Sequence, residues 1–391
     1  MPLAVYVLGL GIFTQGTSEF MLSGLLPDIA ADLGVSIPDA GLLISAFALG
    51  MVIGAPLLAV ATLRLPRRAA LVGLQVVFVA AHAVGALAPG YGLLFATRVI
   101  GALAYAGFWA VAIATAVTLV PASAKSRAVA VVAGGLTLAT IVGVPAGTVL
   151  SQYASWRAAF WAVAAATLIS AICTLLALPA DRGARGARSV RAELRGMARP
   201  ALWLSYAITA FTFGAVIVTF SYLASLLTDV TGIRDAWVPV LLALFGAGGL
   251  LGLVVGGRTA HAAPLATLGW GLAALAVISA LLAMAAHTAI VVVALVFALG
   301  VAGYVTNPAL QSRVFTLAPA APTLVGATNT AAFNVGNTLA PLLGGLSIDA
   351  GLGYASVAWV GASLAVVGLA GVLWAARLER ARSFVPVIQN S

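Results

Sequence analysis

Charge is the scarcest property of this chain. Only 7% of its 391 residues are Asp, Glu, Lys or Arg, against about 25% in an ordinary soluble domain. With 63% of residues apolar, a folded chain of this length has too little charge to cover a water-facing surface. A soluble protein is excluded, and an all-α integral membrane protein is expected. There is one cysteine, Cys173, so no intrachain disulfide can form. There is one lysine, Lys125, and it follows no G-x-x-x-x-G, which excludes a P-loop and an ATP motor on this chain. The histidines at 82, 261 and 287 stand at no metal-ligand spacing with Cys173 or an acid, so neither a metal nor a cofactor is expected. Nucleic acid is excluded as a partner despite the net charge of +9, because the basic residues form no soluble patch. The N-terminus shows neither a basic leader nor a small-residue cleavage site, so the first apolar segment is expected to be retained as a span.

A crossing helix takes about 20 apolar residues. Short polar breaks divide the chain into twelve such runs, near 4–26, 41–62, 70–88, 92–118, 128–150, 157–178, 202–226, 237–257, 264–285, 288–311, 323–346 and 353–375. Numbering the loops alternately, with the N-terminus inside, puts sixteen of the nineteen basic residues in inside loops. Only Arg157 and Arg234 fall outside, while Asp28, Asp32, Asp39, Asp229, Asp235 and Asp349 lean outward. That bias predicts a multi-pass protein of the cytoplasmic (inner) membrane with both termini in the cytoplasm. The longest break separates residues 1–178 from 201–391, six spans from six, with a basic cytoplasmic linker at 179–200. Its arginines at 182, 185, 188, 191, 195 and 199 recur in steps of three and four. They fit a solvated linker held inside by charge, or a helix lying on anionic headgroups.

The two halves resemble each other. Ala46, Gly50 and Gly54 in the second run are matched by Gly248, Gly252 and Gly256 in the eighth. Gly135, Ala139, Gly143 and Gly147 in the fifth, with Pro145 among them, correspond to Ala332, Gly336, Ala340 and Gly344 in the eleventh, with Pro341. Small residues four apart let helix backbones approach closely. Their paired order points to a duplicated transporter with two pseudo-symmetric halves. The sequence Gly246-Ala247-Gly248 with Gly252 loosely resembles a dinucleotide fingerprint, but no strand precedes it, so helix packing is the better reading.

Glu19 is the one acid well inside a span, and Gln15 and Ser23 share its helix face. A charge at mid-membrane costs about 2.5–3.5 kcal/mol on insertion scales, so such residues face a cavity and act there. The bland alternative is a structural carboxyl satisfied by a neighbour. Arg98 is the one base well inside a span, either paired structurally or responsive to the state of the site. His82 reads as a hydrogen-bonded packing residue in preference to a proton carrier. Asn329, Asn334 and Asn337, with Thr330, supply amides that can join helices or bind a polar ligand. The aromatics Tyr105, Phe108, Trp109, Phe211, Tyr222, Tyr304 and Phe333 can line a cavity, or pack.

Taken together, these residues resemble the major facilitator superfamily, in its twelve-span drug:proton antiporter branch, and bacterial chloramphenicol-resistance exporters in particular. The stretch Gly16-Thr17-Ser18-Glu19-Phe20-Met21-Leu22-Ser23-Gly24-Leu25-Leu26-Pro27-Asp28 carries most of the likeness. Arg98 matches the fourth-helix arginine implicated in proton relay, although the glutamine usual three residues later is Gly101. Gly134, Gly143, Pro145 and Gly147 resemble the kinked antiporter motif of the fifth helix, and Trp156-Arg157-Ala158-Ala159-Phe160-Trp161 the segment after it. The loop Leu63-Arg64-Leu65-Pro66-Arg67-Arg68 lacks the usual acid and glycine, and His261 stands where an Asp is common.

The resemblance implies a monomeric, proton-coupled exporter of a small amphipathic drug, chloramphenicol or a relative, working by alternating access among membrane lipid. Glu19 and Arg98 would couple protons. Gln15, Ser23, Tyr105, Phe108, Trp109, Asn329, Phe333, Asn334 and Asn337 would bind substrate. An exporter of sugars or another metabolite is the first alternative. A membrane sensor that binds without transporting is the second. A membrane enzyme is not expected, since no nucleophile–base or metal constellation is present.

Overall fold

Runs this apolar form helices in a membrane, because lipid offers the backbone no hydrogen-bond partner and a helix satisfies its own. A computed structural model describes residues 1–62, 65–121, 124–179, 197–319 and 321–383. Among these, α1 (Leu3–Met21) ends in a tight turn at Leu22–Gly24 and leads into the short α2 (Leu26–Leu33). Next come α3 (Ile37–Ala61), α4 (Arg67–Ala86) and α5 (Tyr91–Ala116). One long helical stretch follows, made of α6 (Lys125–Leu138), a π turn at Ala139–Gly143 and α7 (Val144–Tyr153). After it run α8 (Trp156–Ala177) and, beyond the basic stretch, α9 (Pro200–Ser221). The remainder comprises α10 (Val238–Ala262), α11 (Pro264–Met284), α12 (Ala289–Val305), α13 (Asn307–Leu317), α14 (Pro322–Ser347) and α15 (Ser356–Ser383).

Ten helical stretches among the described residues are long and apolar enough to cross a membrane. The expectation of twelve uniformly apolar runs is therefore revised. Two long helices, α1 and α14, stand outside the ten because polar residues occupy part of their length. On α1 these are Thr14, Gln15, Thr17, Ser18 and Glu19, and on α14 Asn329, Thr330, Asn334, Asn337 and Thr338.

Proline and glycine shift three expected boundaries. The run 4–26 ends early as a helix, at Met21, and α2 restarts with Pro27 in its first turn, where a missing N–H costs nothing. Gly34 closes α2 in the left-handed conformation at φ 64°. The run 288–311 divides at Thr306, because Pro308 cannot donate to the helical ladder, and α13 then continues to Leu317. Pro145 has the same effect in the fifth run, where the ladder loosens into the π turn at Ala139–Gly143. Arg64 and the arginines at 182, 185, 188, 191 and 195 lie outside the described residues.

The small-residue stripes do the same work in corresponding places. Gly50 and Gly54 bring α3 against α5, where an added Cβ would stand 2.8 Å from the Val99 carbonyl and 3.1 Å from Leu103 Cα. Gly252 and Gly256, 202 residues later in each case, bring α10 against α12, with such a Cβ 2.4 Å and 2.0 Å from the carbonyls of Val301 and Val305. Gly135 and Gly143 seat α6 and its π turn on α1, at Gly9 and Thr17, and Gly336 and Gly344 seat α14 on α9, at Ala210 and at Val218 with the Tyr222 ring just beyond the helix end. Gly246-Ala247-Gly248 is likewise packing: Gly248 abuts the Phe297 carbonyl.

The helix ends sort by charge. Asp28, Asp32, Asp39, Asp235 and Asp349 gather at one end of the bundle, and Arg67, Lys125, Arg258, Arg313 and Arg377 at the other.

Gly256→Ala is expected to destabilise the protein by about 1–3 kcal/mol, the usual cost of overpacking, since the Val305 carbonyl cannot yield as a flexible side chain would. Gly257→Ala, with open space around its Cβ, should be neutral or slightly stabilising. Thermal unfolding of the detergent-purified variants measures both.

Candidate functional site

The polar face of α1 has one acceptable place, inside the bundle. Gln15, Ser18, Glu19 and Ser23 are all buried there. Glu19 lies on the wall of a cavity of about 430 Å³ enclosed among α1, α3, α5, α6, α9, α10 and the helices from α12 to α14. Asn337 of α14 points its amide at the Glu19 carboxyl, with Nδ2 3.4 Å from Oε1. The two long helices that are least apolar thus meet through their polar residues.

The remaining cavity wall divides by chemistry. Tyr105, Trp109, Phe213, Tyr304 and Phe333 are aromatic. Phe213 meets Phe333 edge to face at 5.0 Å and Tyr304 at 6.2 Å, and Tyr105 meets Trp109 edge to face at 6.1 Å. Thr330, Asn334, Asn337, Asn307 and Gln311 form a polar strip on α13 and α14. Asn334 donates to the Thr330 carbonyl at 3.0 Å, which leaves its Oδ1 without a partner. An aromatic wall facing an amide strip suits a solute that is part ring and part hydrogen-bonding chain.

Arg98 does not line this cavity and forms no ion pair with Glu19. It clasps the residue before it: Nη1 donates to Ser18 Oγ at 2.6 Å and Nη2 to the Ser18 carbonyl at 2.9 Å. Its guanidinium lies over the Phe47 ring, 4.2 Å from the centroid, a contact favourable to a buried cation. Ser18 Oγ also meets His82 Nε2 at 2.6 Å, and His82 Nδ1 meets the Phe78 carbonyl at 3.0 Å. His82 is thus the hydrogen-bonded, packed residue that its isolation suggested, stacked on Phe78 at 4.1 Å. Its ring faces Gly101, where even a Cβ would come within 3.6 Å of Cε1. A glutamine at 101 would need that space.

Four of the nine expected substrate-binding residues lie away from the cavity wall. Gln15 folds back to the Gly11 carbonyl at 3.1 Å, and Ser23 to that of Phe20 at 2.7 Å, each satisfying a local acceptor. Phe108 fills the gap opposite Gly11 and Gln75. Asn329 is held by Gln311 at 2.9 Å and Thr209 at 3.3 Å. Tyr105, Trp109, Phe333, Asn334 and Asn337 do line the cavity. Of the other aromatics, Tyr304 lines it, whereas Phe211 is exposed on the outer face and Tyr222 donates to the Pro341 carbonyl at 2.7 Å. Gly134 is on the cavity wall and not at the kink. The neighbouring Gly135, with Gly143 and Gly147, makes the contact with α1.

Sequence reasoning missed Phe20, Met51, Thr137, Thr140, Phe213, Leu253, Asn307 and Gln311. Polarity inside an apolar run could have flagged Asn307 and Gln311. Nothing distinguishes Phe213 from the outward-facing Phe211 two residues away.

The cavity extends from Glu19 toward the base-rich end, where Ala130, Leu253, Pro308 and Gln311 line it. At the acid-rich end the helices before and after the basic stretch are in contact. Ser45 of α3 donates to the Thr338 carbonyl at 2.8 Å, and Gln152 of α7 to that of Asp235 at 2.7 Å. Gly246 of α10 lies against Thr140 and Ile141, and an added Cβ would meet their backbone at 2.9 Å. Around this closure Asp28 binds Ser151, and Asp32 binds Arg157 and the Trp156 ring N–H. The Arg157 guanidinium, followed by the Trp156 N–H, holds the Asp32 carboxyl below its ordinary range.

A many-helix membrane bundle that encloses an aromatic and amide-lined cavity, closed at one end, is the architecture of a small-molecule transporter. The chain belongs to the Major Facilitator Superfamily, whose family model matches residues 8–333. It is 42% identical over 381 residues to a chloramphenicol resistance protein of Streptomyces lividans, covering 94% of this chain and 95% of that protein. It is 36% identical over 373 residues to the inner membrane transport protein YdhP of Escherichia coli strain K12, covering 95% of each. Among solved structures it resembles a bacterial homolog of the human lysosomal transporter Spinster in an inward-facing, unoccupied conformation, with a TM-score of 0.77 and 18% identity over 96% of each chain. That likeness is one of fold. The protein is a multi-pass membrane transport protein and not an enzyme.

Asp32→Asn should lower thermal stability near neutral pH and lose that effect in acid. A carboxyl with a depressed folded-state pKa adds stability above its unfolded value of about 3.9, and that stability is lost as the pH falls through the folded value. Wild-type and variant unfolding curves should therefore converge below about pH 4.

Proposed function

We propose that this protein exports a small amphipathic antibiotic, chloramphenicol or another phenicol, in exchange for protons. The observation that carries the reading is a lone acid, Glu19, on the wall of an aromatic-lined cavity. Twelve spans in two six-helix halves, 1–178 and 201–391, would rock about this cavity, with residues 179–200 as the linker and both termini in the cytoplasm. The outward excess of acids and inward excess of bases support that orientation. The closed, acid-rich end then faces out, and the cavity opens inward in a monomer. The π turn at Ala139–Gly143, seated between α1 and α10, would be the point of flexure. A 42% identical relative named for chloramphenicol resistance supports the substrate.

The cycle follows from charge. Ionised Glu19 with its Asn337 contact would favour drug binding from inside. Protonation from outside would weaken it and release the drug, and loss of that proton to the cytoplasm would reset the site. Arg98 would bias the balance through space. A neutral drug exchanged for one proton moves one charge, worth about 2.3 kcal/mol per 100 mV. At about 1.4 kcal/mol per decade, one acid sustains a gradient of roughly 40-fold.

The polar strip Asn307, Gln311, Thr330, Asn334 and Asn337 favours a second reading, export of a sugar or other polar metabolite. A transport panel of drugs against sugars separates the two. For the first reading, drug-sensitive cells expressing the protein should hold less chloramphenicol than empty cells. A protonophore or Glu19→Gln should restore accumulation to the empty-cell level. Equal accumulation in expressing and empty cells, with the protein verified in the membrane, would overturn the phenicol assignment. Phe333→Ala should weaken phenicol binding by up to about tenfold, from the loss of an aromatic contact worth about 0.5–1.5 kcal/mol, as read by equilibrium binding to purified protein.

A further inference from the structure

The buried group Arg98–Ser18–His82 lies behind the cavity, one residue from Glu19, and its hydrogen bonds have a fixed direction. The Phe78 carbonyl can only accept, so His82 Nδ1 carries a proton and, in the neutral ring, Nε2 is the acceptor. Ser18 must then donate its hydroxyl proton to His82 Nε2, at 2.6 Å, and its oxygen is left to accept from Arg98 Nη1, also at 2.6 Å. The second arm of Arg98 is provided for by the end of α1. There the Leu22 N–H turns to the Phe20 carbonyl, and Arg98 Nη2 takes the carbonyl of Ser18.

This arrangement leaves a guanidinium and a carboxyl group buried near each other with no ion pair between them. Ser18, His82 and Arg98 are buried, Arg98 only 1% exposed, while Glu19, 8% exposed, meets the cavity at its wall, so little solvent lies between the two groups. Something must keep the cation from closing on the acid, and the bonds described do so. The charged and titratable groups around His82 are few. Arg98 and Tyr105 stand on α5 and Glu19 on α1, while α8 turns the ring of Phe160 to it at 5.5 Å. The charges of α4 itself, Arg67 and Arg68, are in its first turn, far from His82.

We propose that His82 is a positioning residue of the coupling site: by accepting the hydrogen bond of the Ser18 hydroxyl it keeps Arg98 bound to α1 and off the Glu19 carboxyl, so that Glu19 remains free to gain and lose its proton. The proposal rests on the proton-coupled reading of Glu19. Without an acceptor at position 82, the Ser18 hydroxyl turns to the carbonyl four residues back on its own helix, as buried helical serines do. Where that turn swings Ser18 Oγ about χ1, the oxygen leaves Arg98 Nη1 short of an acceptor, and Glu19 is the one buried carboxyl beside it. A guanidinium that moves onto Glu19 stabilises the ionised form, and proton loading then requires a more acidic medium.

The test needs no drug. Infrared difference spectra of the full-length purified protein are recorded against pH, and the protonated-carboxyl band missing from Glu19→Gln is followed. His82→Phe keeps a ring against Phe78 and Phe160 but removes the acceptor. Its Glu19 midpoint should fall by about one unit, a tenfold loss of proton affinity. His82→Gln returns an acceptor at the same reach and should stay within about 0.3 unit of wild type. Ser18→Ala should reproduce the fall, and His82→Phe added to Ser18→Ala should shift it no further, since His82 acts through Ser18. Should His82→Phe not fold, His82→Leu removes the acceptor with a smaller side chain and should give the same fall. If the wild-type band titrates and His82→Phe leaves the midpoint unmoved, or its effect adds to that of Ser18→Ala, His82 is packing alone and the proposal fails. A wild-type band that does not titrate at all overturns the proton-coupled reading, and this inference with it.

Discussion

Lipid can solvate neither a carboxyl nor an amide, so every polar group within the membrane must find its partner in the protein. On α1 that requirement governs five residues within six positions, from Thr14 to Glu19. Their burial directs α1 to the middle of the bundle, and the close seating of α6 and its π turn at Gly9 and Thr17 follows. On α14 the asparagines impose the same demand. The Asn337–Glu19 contact joins the two helices across the cavity, and the site lies where these constraints intersect.

The apolar helices around them need a different kind of specificity. Lipid chains compete on equal terms with leucine, so helix association depends on fit and not on exclusion of water. Glycine supplies the fit. The contacts of Gly50 and Gly54 on α5 are matched by those of Gly252 and Gly256 on α12, and those of Gly135 and Gly143 on α1 by those of Gly336 and Gly344 on α9. Each removes a side chain where two backbones would otherwise be held apart. Prolines add the complementary effect: Pro145 and Pro308 break the helical ladder beside the cavity, where a rigid rod would leave no room for adjustment.

The charges show how position changes meaning. Arg157 and Asp32 meet at a half-exposed helix end, a partnership that solvent weakens. Arg98 and Glu19 are enclosed and do not meet; each is held by neutral groups, Arg98 by Ser18 and Phe47 and Glu19 by Asn337. In a low-dielectric interior an ion pair is hard to open again, and under the proposed proton-coupled cycle a carboxyl held by neutral partners would be the easier one to load and unload.

Much of this was legible in the chain itself. Membrane residence, helical class, the charge sorting of the helix ends and the prominence of Glu19 follow from hydropathy and the rarity of intramembrane charge, which depend on residue type and spacing along one helix. The paired glycine stripes also lie in sequence, since a four-residue step is a local property. Which side chains reach the cavity does not. Gln15, Phe108 and Asn329 share a helix with residues on its wall, and Ser23 follows α1 directly, yet all four turn to neighbours, and Phe213 differs from Phe211 only in the direction it faces. The Arg98–Ser18–His82 group joins three helices, 64 residues apart at one contact and 80 at another. Composition and periodicity act within a helix, so they selected the helices and the faces to be buried. How those helices rotate against one another is decided by packing between them, and only the tertiary structure brought the acid, the amides and the aromatic wall to one cavity.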